Sequence, residues 1–228
     1  MLPIHENLGY LLELMGKYDE AESEYQQALR IGERAFGPEH QKLYGTLRFL
    51  VQLKLRRGQA ESAIPLAERA AGLLKGTPRA VTGKMLLGNT LARAGRYEDA
   101  LRLHQESLDQ CSGKVCGLEM PSRLVAVVDD LRGLGRDKQA LPLLEQALRL
   151  LPSSGEAELR ARLQFALAQT LWLLDGQKSR ERVVDLSDKA RKQYLELGRQ
   201  HKAEADEVAD WQKNNKLQPV ASVAPAVP

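Results

Sequence analysis

Side chains capable of chemistry are few and widely spaced in this 228-residue sequence. Cys111 and Cys116 are separated by four residues, and a metal site would require two further His or Cys ligands near them. His104 precedes Cys111 by seven residues, which does not complete such a set. We therefore interpret the two cysteines as reduced thiols and His104 as a core residue, with a labile loop disulfide as the alternative.

Catalytic groups do not converge in the sequence either. Asp129 and Asp130 are neighbours on a predicted helix, so their carboxylates point about 100° apart and cannot act together on one substrate atom. No glycine-rich phosphate loop and no kinase signature occurs. The sequence therefore predicts neither enzymatic activity nor a cofactor. The histidines, which have no Ser or Cys partner in a recognisable motif, are His5, His40, His104 and His201.

The composition favours helices. Only 5% of the residues are aromatic, whereas 43% are hydrophobic and many of these are Leu or Ala, which is unusual for strands. The net charge of +3 gives no general attraction to nucleic acid or to an anionic membrane. No apolar run approaches the length of a membrane span or a signal peptide. We therefore expect a cytoplasmic protein that binds neither nucleic acid nor membrane.

The main pattern is an internal repeat of glycine-centred turns. Gly16 is followed by Tyr18, Ala21, Tyr25 and Ala28, and similar frames follow four later glycines at intervals of 42, 37, 40 and 41 residues. Glycine adopts the left-handed conformation that ends a helix more readily than other residues. Each unit is therefore predicted to be a hairpin of two helices joined at the glycine. The five turn glycines are Gly16, Gly58, Gly95, Gly135 and Gly176.

Small residues mark the predicted helix contacts. Helix axes that lie about 8 to 10 Å apart leave little room at a crossing point, which explains the repeated alanines of the second helices. Gly9 and Gly88 lie inside first helices, where glycine costs roughly 0.5 to 1 kcal/mol relative to alanine. We therefore expect a close contact at each of them. Single hairpins cannot bury their apolar faces, so the units are predicted to stack.

These residues resemble the tetratricopeptide repeat, whose signature is a Gly-x-Tyr turn followed by Ala, an aromatic residue and a second Ala. Residues 28–40, ALRIGERAFGPEH, are similar to the longer repeat of kinesin light chains and bacterial signalling proteins, although Gln41 replaces the usual proline. FALAQTLW and DKARKQY resemble the end of arrays attached to bacterial serine/threonine kinases. The resemblance implies an all-α, right-handed α-solenoid of about five hairpins that acts as an adaptor and not as an enzyme.

The array is predicted to cover residues 1–198 and to begin without a polar cap, which favours an upstream continuation. Residues 199–216 are predicted to form a capping helix, with Val208 and Trp211 facing inward and with Lys202, Glu204, Glu207 and Asp210 facing water. Residues 217–228 are rich in proline and uncharged from Gln218 onward, so we predict disorder. The hairpins are placed at about 4–36, 40–75, 78–111, 118–151 and 154–198.

The resemblance also implies a binding face, because the first helices of tetratricopeptide arrays line the concave side. Counting back from each turn gives three positions per unit, and the resulting groove runs from acidic to basic to mixed. The implied positions are Glu6, Tyr10 and Glu13; Arg48, Gln52 and Arg56; Met85, Asn89 and Arg93; Val125, Asp129 and Arg132; and Phe165, Gln169 and Trp172.

These side chains suit a peptide. Long polar groups match the unpaired amides of an extended segment, and the arginines can grip carboxylates in forked geometry. The family's clamp for a terminal carboxylate uses Lys and Asn one turn apart, but here Met85 precedes Asn89, so that clamp is incomplete. The sequence therefore predicts a protein-interaction scaffold that binds a peptide or partner helix, as a regulatory part of a signalling protein.

Two other functions follow from the same pattern. A pentatricopeptide-like RNA-binding array shares the hairpin plan, but it keeps a nearly constant period and a basic surface. The basic run Lys54, Arg56 and Arg57 is interpreted instead as a helix C-terminal turn, where cations complement the helix dipole. Self-assembly through the open ends of the array is the second alternative, and it predicts a homo-oligomer.

Overall fold

The computed structural model describes residues 1–110, 119–151 and 156–217, and within these ranges it contains helices and turns but no strand. The predicted all-α fold is therefore confirmed. The α-helices are α1 (Leu2–Leu14), α2 (Tyr18–Phe36), α3 (Tyr44–Arg56), α4 (Ala60–Leu74), α5 (Ala80–Arg93), α6 (Tyr97–Asp109), α7 (Met120–Gly133), α8 (Asp137–Leu150), α9 (Ala157–Asp175), α10 (Arg180–Leu197) and α11 (Lys202–Asn214).

The predicted turn glycines close the first helices. Gly16 has φ +75°, and its amide donates to the carbonyl of Glu13 at 3.0 Å while the Lys17 amide donates to Leu12 at 2.9 Å. This pair of hydrogen bonds satisfies carbonyls that the helix end would leave free. It recurs at the glycines that follow α3, α5 and α7. Gly176 also has positive φ, but a 3₁₀ turn over Gly176–Ser179 follows it, which confirms the longer turn predicted there.

The chain divides into two compact units, residues 1–113 and 114–228. In unit 1, α1 packs on α2, α3 on α4 and α5 on α6, while α2 contacts α3 and α4 contacts α5. The alanines expected at the crossings, such as Ala21, Ala63 and Ala100, are fully buried. Around them lie larger apolar residues, such as Leu47 and Leu74 between the α3 and α4 helices.

The two helix-interior glycines lie at close contacts, as expected. A Cβ placed on Gly9 would lie 2.6 Å from the Tyr25 ring, and one placed on Gly88 would overlap the His104 ring. Both rings belong to second helices and are almost completely buried. His104 is therefore a core residue, and it fills the position that the aromatic residue of the repeat fills in the first hairpin.

Unit 2 contains α7 to α11, and each of these helices contacts the next. Its terminal cluster joins Phe165, Tyr194 and Val208, with the Trp211 ring edge-on to Phe165 at 5.5 Å between ring centroids. Val208 and Trp211 therefore pack inward, as predicted for the capping helix. The helix α11 ends in the same turn as the first helices, with Lys216 at φ +55° in place of glycine.

Several predictions fall outside the described residues. Cys111 and Cys116 lie in the undescribed range 111–118, so neither the reduced thiols nor the loop disulfide is tested. Residues 218–228, which hold nearly all of the predicted disordered tail, are also outside it. In the described part of the chain, no helix combines the length and the apolar character that crossing a bilayer requires.

Candidate functional site

Three of the predicted groove residues connect α1 to its neighbours. Glu13 is only 5% exposed, accepts a hydrogen bond from the Tyr25 hydroxyl at 3.0 Å, and forms an ion pair with Arg56 at 2.9 Å. Glu6 accepts a hydrogen bond from the Thr46 hydroxyl. These contacts link the first two hairpins. The structure therefore places Glu6, Glu13 and Arg56 in a packing network, in which they hold helices together.

The basic run at the end of α3 is neutralised by α2. Lys54 donates to Glu22 at 3.0 Å, and Arg57 lies 3.0 Å from Glu22 and 2.9 Å from Asp19. Partnered cations at a helix end stabilise that end and contact the preceding hairpin. This arrangement supports the interpretation of the run as a helix terminus and offers little free charge to a phosphate backbone.

The remaining groove residues of unit 1 are more open. Arg48 donates to Gln52 at 3.3 Å and lies over the Phe49 ring at 4.7 Å. Asn89 and Arg93 on α5 are exposed, and the described part of the chain gives them no hydrogen-bond or ion-pair partner. Arg93 lines a cleft of about 670 Å³ beside the turn between α3 and α4, together with Lys54 and Glu61. Tyr10 is also exposed, and Met85 is half-buried.

In unit 2 the predicted residues of α7 and α9 contact each other. Arg132 donates to Gln169 at 2.6 Å and lies 3.8 Å from Asp137. Asp129 forms a hydrogen-bonded ion pair with Arg162 of α9. The sequence analysis named Asp129, Arg132 and Gln169 as separate groove positions. It predicted no contact between them and missed Arg162, because helix periodicity places a side chain on a face without naming its partner.

A cavity of about 290 Å³ lies between these helices, and we call it the unit 2 pocket. Its apolar floor includes Val125 and Phe165, which were both expected in the groove but are buried at 6% and 8% exposure. Tyr194 of α10 closes the floor on one side. Its charged and polar rim consists of Asp129, Arg132, Arg162, Gln169, Glu204 and Glu207.

The rim carboxylate of Asp129 is partly removed from water. Burial raises the pKa of Asp129 above its ordinary value, while the nearby Arg162 guanidinium acts in the opposite direction. Burial destabilises the charged form of a carboxylate, and a cation beside it stabilises that form. The pocket therefore combines an apolar floor with a rim that carries three carboxylates and two guanidinium groups.

The helix α11 contributes to this rim, which corrects one expectation. Glu204 was predicted to face water, but it is half-buried, lines the pocket and lies 3.6 Å from His201. Glu207 is exposed, as predicted, and reaches the same rim. Trp172, which was expected in the groove, donates its indole N–H to Asn215 at 2.8 Å and so fixes the end of α11.

No cluster of His, Cys, Asp and Glu suited to a metal ion occurs among the residues that the structure describes. Two of the buried carboxylates make contacts within the helix packing: Glu13 accepts a hydrogen bond from Tyr25, and Asp137 accepts one from Thr170.

Comparisons with known proteins agree with the repeat pattern. Two family models described as tetratricopeptide repeat match residues 1–75 and 50–114, and together they span half of the chain. No curated protein matches the sequence.

Solved structures of tetratricopeptide repeat proteins share the fold. A kinesin light chain protein from Podosopora anserina with nearly identical TPR-like repeats is 17% identical, with a TM-score of 0.68, over 87% of this chain and 97% of that one. The apo form of RapI is 16% identical, with a TM-score of 0.72, over 95% and 74%. A thermophilic TPR protein of Thermus thermophilus is 19% identical, with a TM-score of 0.61, over 92% and 99%. At these identities the likeness establishes the helical-repeat solenoid fold alone.

Proposed function

The chain belongs to the tetratricopeptide repeat family, and we propose that it binds an extended peptide or a helix of a protein partner on the faces formed by its first helices. Proteins of this family are generally interaction scaffolds, and typically they are not enzymes. The observation that carries the proposal is the unit 2 pocket, where predicted groove residues of α7 and α9 surround one cavity.

The pocket suits one anchoring side chain of the partner. Binding sites typically combine an apolar floor with a few convergent polar groups that fix orientation. Phe165 and Tyr194 supply aromatic floor, and Gln169 supplies an amide at the rim. A volume of about 290 Å³ accommodates a long side chain but not a folded element. The partner therefore inserts a side chain here while its backbone runs along the helices.

The rim charges select a basic anchor. Arg162 is paired with Asp129, and Arg132 contacts Gln169 and Asp137, so the two cations are already partnered. Glu207 has no hydrogen-bond or ion-pair partner within the described residues. A Lys or Arg side chain would pack its aliphatic stem on the floor and place its cation beside Glu204 and Glu207.

The unit 1 face supports binding in a different way. Gln52, Asn89 and Arg93 are exposed long side chains on two first helices, α3 and α5, that contact each other. They can pair with the amides and carboxylates of an extended segment. Replacement of Asn89 and Arg93 by alanine should weaken partner capture and leave the melting temperature within a few degrees of wild type.

The proposal includes a regulatory role in a cytoplasmic signalling protein. Its support is the resemblance of FALAQTLW and DKARKQY to arrays attached to bacterial serine/threonine kinases. The low cysteine content, two residues in 228, also fits a reducing compartment. A scaffold of this kind would regulate an enzyme by recruiting its substrate or by covering its active site.

Selection of random peptides displayed on phage tests the anchor. The full chain is the target, and the affinity of an enriched peptide is then measured by fluorescence polarisation against wild type and two variants. Glu207→Lys places a cation at the pocket rim. Glu181→Lys makes the same charge change at an exposed position of α10 and is the matched control.

We expect enriched peptides to contain Lys or Arg, and we expect Glu207→Lys to weaken binding at least about tenfold, which corresponds to about 1.4 kcal/mol. Glu181→Lys should bind as wild type does. Equal affinities for the two variants, or no enrichment of basic peptides, would refute the pocket as the anchor site.

A further inference from the structure

The outer face of α1 is apolar and uncovered. Its side chains are 42% to 80% exposed, although all are Leu, Ile or Met, which are usually buried. In unit 1, by contrast, α2 packs on α3 and α4 packs on α5. The α1 helix has no such neighbour on its outer side among the described residues. We call this surface the α1 face; it consists of Met1, Ile4, Leu8, Leu11, Leu14 and Met15.

Charged side chains are absent from the α1 face. The helix contains one histidine and two glutamates, and each makes a contact inside unit 1: His5 with Glu24 at 2.6 Å, Glu6 with Thr46, and Glu13 with Arg56. An ordinary solvated helix face carries charged groups on its outer side. This helix has the opposite arrangement, because its charges face the hairpin stack and its apolar side chains face outward.

The spacing of the α1 face is that of a helix-pairing seam. Met1, Ile4, Leu8, Leu11 and Met15 are separated by steps of three, four, three and four residues. Alternating steps of three and four place side chains along one stripe that packs knobs-into-holes against another helix with the same spacing. Packing within the hairpin does not require this stripe, because the inward side of α1 is formed by other residues, including Gly9 and Glu13.

We propose that the α1 face binds the α1 face of a second copy of this chain and forms a two-fold symmetric dimer. A face without charged side chains can meet its own copy without repulsion between them, and a two-fold contact closes without forming a filament. Head-to-tail stacking on α11 is disfavoured, because α11 exposes Lys202, Asp206 and Asp210, which would be buried against apolar side chains.

The available surface is sufficient for such a dimer. A fully buried Leu, Ile or Met side chain removes about 100 Å² of apolar surface from water, so the α1 face offers on the order of 400 Å² per copy. Two copies bury on the order of 800 Å² of apolar surface. A standard interface of about 1,200 to 2,000 Å² contains roughly 700 to 1,100 Å² of apolar surface. The dimer is therefore at the small end of this class and is concentration-dependent.

The two-fold symmetry of the proposed dimer allows substitutions of Leu8 to test it. Leu8 is midway between Met1 and Met15, so in an antiparallel pair of α1 helices Leu8 meets Leu8 of the second copy. Leu8→Glu and Leu8→Lys would each place two like charges together and abolish the dimer. An equimolar mixture of these two variants would restore it, because Glu then faces Lys. Leu8 is 42% exposed in its own chain, so a melting curve of each variant must show that the hairpin remains folded.

Sedimentation equilibrium of the full chain at several concentrations is the test. Wild type should change from monomer to dimer in the micromolar range, each Leu8 variant should remain monomeric, and their mixture should form a heterodimer. Leu173→Glu, which changes an exposed leucine of α9, is the control and should dimerise as wild type does. Circular dichroism melting checks that each variant is folded.

Three results would overturn the dimer: a monomeric wild type at all concentrations, a dimeric Leu8→Glu variant, or a mixture of the Leu8 variants that stays monomeric. A monomeric wild type would assign the α1 face to a different occupant. The dimer is independent of the peptide proposal, because Glu207→Lys should leave dimerisation unchanged and Leu8→Glu should leave peptide affinity unchanged.

Discussion

The ring of His104 lies directly against Gly88, in the same relationship that the ring of Tyr25 has to Gly9. In both hairpins a second-helix ring occupies the volume that a first-helix side chain would need. The glycine is therefore required by its neighbour and not by its own backbone, since neither glycine has positive φ. A planar ring therefore fills this position in both hairpins, a phenol in the first and an imidazole in the third.

Replacement of either glycine by alanine should destabilise unit 1. Overpacking a tight contact typically costs 1 to 3 kcal/mol, so we expect Gly9→Ala and Gly88→Ala to lower the free energy of unfolding by about 2 kcal/mol. Gly72→Ala in α4 is the control, because a Cβ there meets nothing within 4 Å and should stabilise by about 0.5 to 1 kcal/mol. Urea denaturation measures all three changes.

A double substitution tests whether the ring is responsible. Removing the ring in Gly88→Ala/His104→Ala should relieve the overlap, so the loss of stability should be smaller than the sum of the two single losses. Strict additivity would show that the alanine at 88 disturbs something other than His104.

The sequence predicted that close helix contacts occur at certain glycines, but it did not predict which side chains pair between helices. Gly9 and Gly88 were identifiable because a glycine inside a helix is costly and its repetition in two units needs a reason. The ion pair of Glu13 with Arg56 was not identifiable. Its residues are 43 positions apart, and both were assigned to an open groove because periodicity gives a face but not the distance between neighbouring helices.

Tyr25 should resist ionisation at high pH. Burial, followed by the hydrogen bond and charge of Glu13, raises its pKa well above the ordinary value of about 10. Because the folded-state pKa is the higher one, the stability that this group contributes is present below about pH 10 and is lost as the pH rises through the folded pKa. The difference in phenolate absorbance between wild type and Tyr25→Phe, which isolates Tyr25 from the other tyrosines, should therefore show no step near pH 10.

Glu13→Gln tests how much the negative charge of Glu13 contributes to the raised pKa of Tyr25. The amide oxygen still accepts the phenol hydrogen bond, but the negative charge that opposes phenolate formation is gone. We expect the Tyr25 step to move to lower pH in this variant, at a cost in stability because Arg56 loses its partner. A Tyr25 step near pH 10 in wild type, or one that Glu13→Gln leaves in place, would contradict the buried network.

Asp129 should titrate above the ordinary aspartate value of about 3.9, because burial raises its pKa. The folded-state pKa is again the higher one, so the favourable contribution belongs to the protonated form and is lost as the pH rises through the folded pKa. Wild type should therefore gain stability relative to Asp129→Asn as the pH falls from 7 toward about 4. Carboxyl NMR of wild type measures the pKa itself.

Arg162→Gln should raise the pKa of Asp129 further, because the guanidinium favours the carboxylate form. Arg182→Gln is the control: Arg182 pairs with Glu145 on α8, and its side chain is 53% exposed, as is that of Arg162. An Asp129 pKa at or below the ordinary value would contradict the burial of this carboxylate, and one that responds equally to both substitutions would contradict its pairing with Arg162.

The sequence predicted three rim residues of the unit 2 pocket that lie on α7 and α9, but not those on α11. Asp129, Arg132 and Gln169 were found by counting back from turn glycines, and that count requires a visible turn. Lys216 closes α11 with the backbone of such a turn, but a lysine gives no turn signal in the sequence. The charged composition of α11 favours a cap, and that interpretation places Glu204 in water and not at the pocket rim.

Lys216→Gly should stabilise unit 2. Lys216 has φ +55°, its amide donates to Lys213 at 3.1 Å, and the Leu217 amide donates to Gln212 at 2.8 Å, which is the pattern found at Gly135. A left-handed conformation costs a side-chain-bearing residue about 1 kcal/mol that glycine avoids. We therefore expect the free energy of unfolding to rise by about 0.5 to 1 kcal/mol. Lys213→Gly, the same exchange three residues earlier, lies inside α11 and should lower it by a similar amount.

Urea denaturation, monitored by Trp fluorescence, measures the stability of unit 2, because both tryptophans, Trp172 and Trp211, belong to that unit. If both substitutions changed stability in the same direction, the end of α11 would not be a left-handed turn.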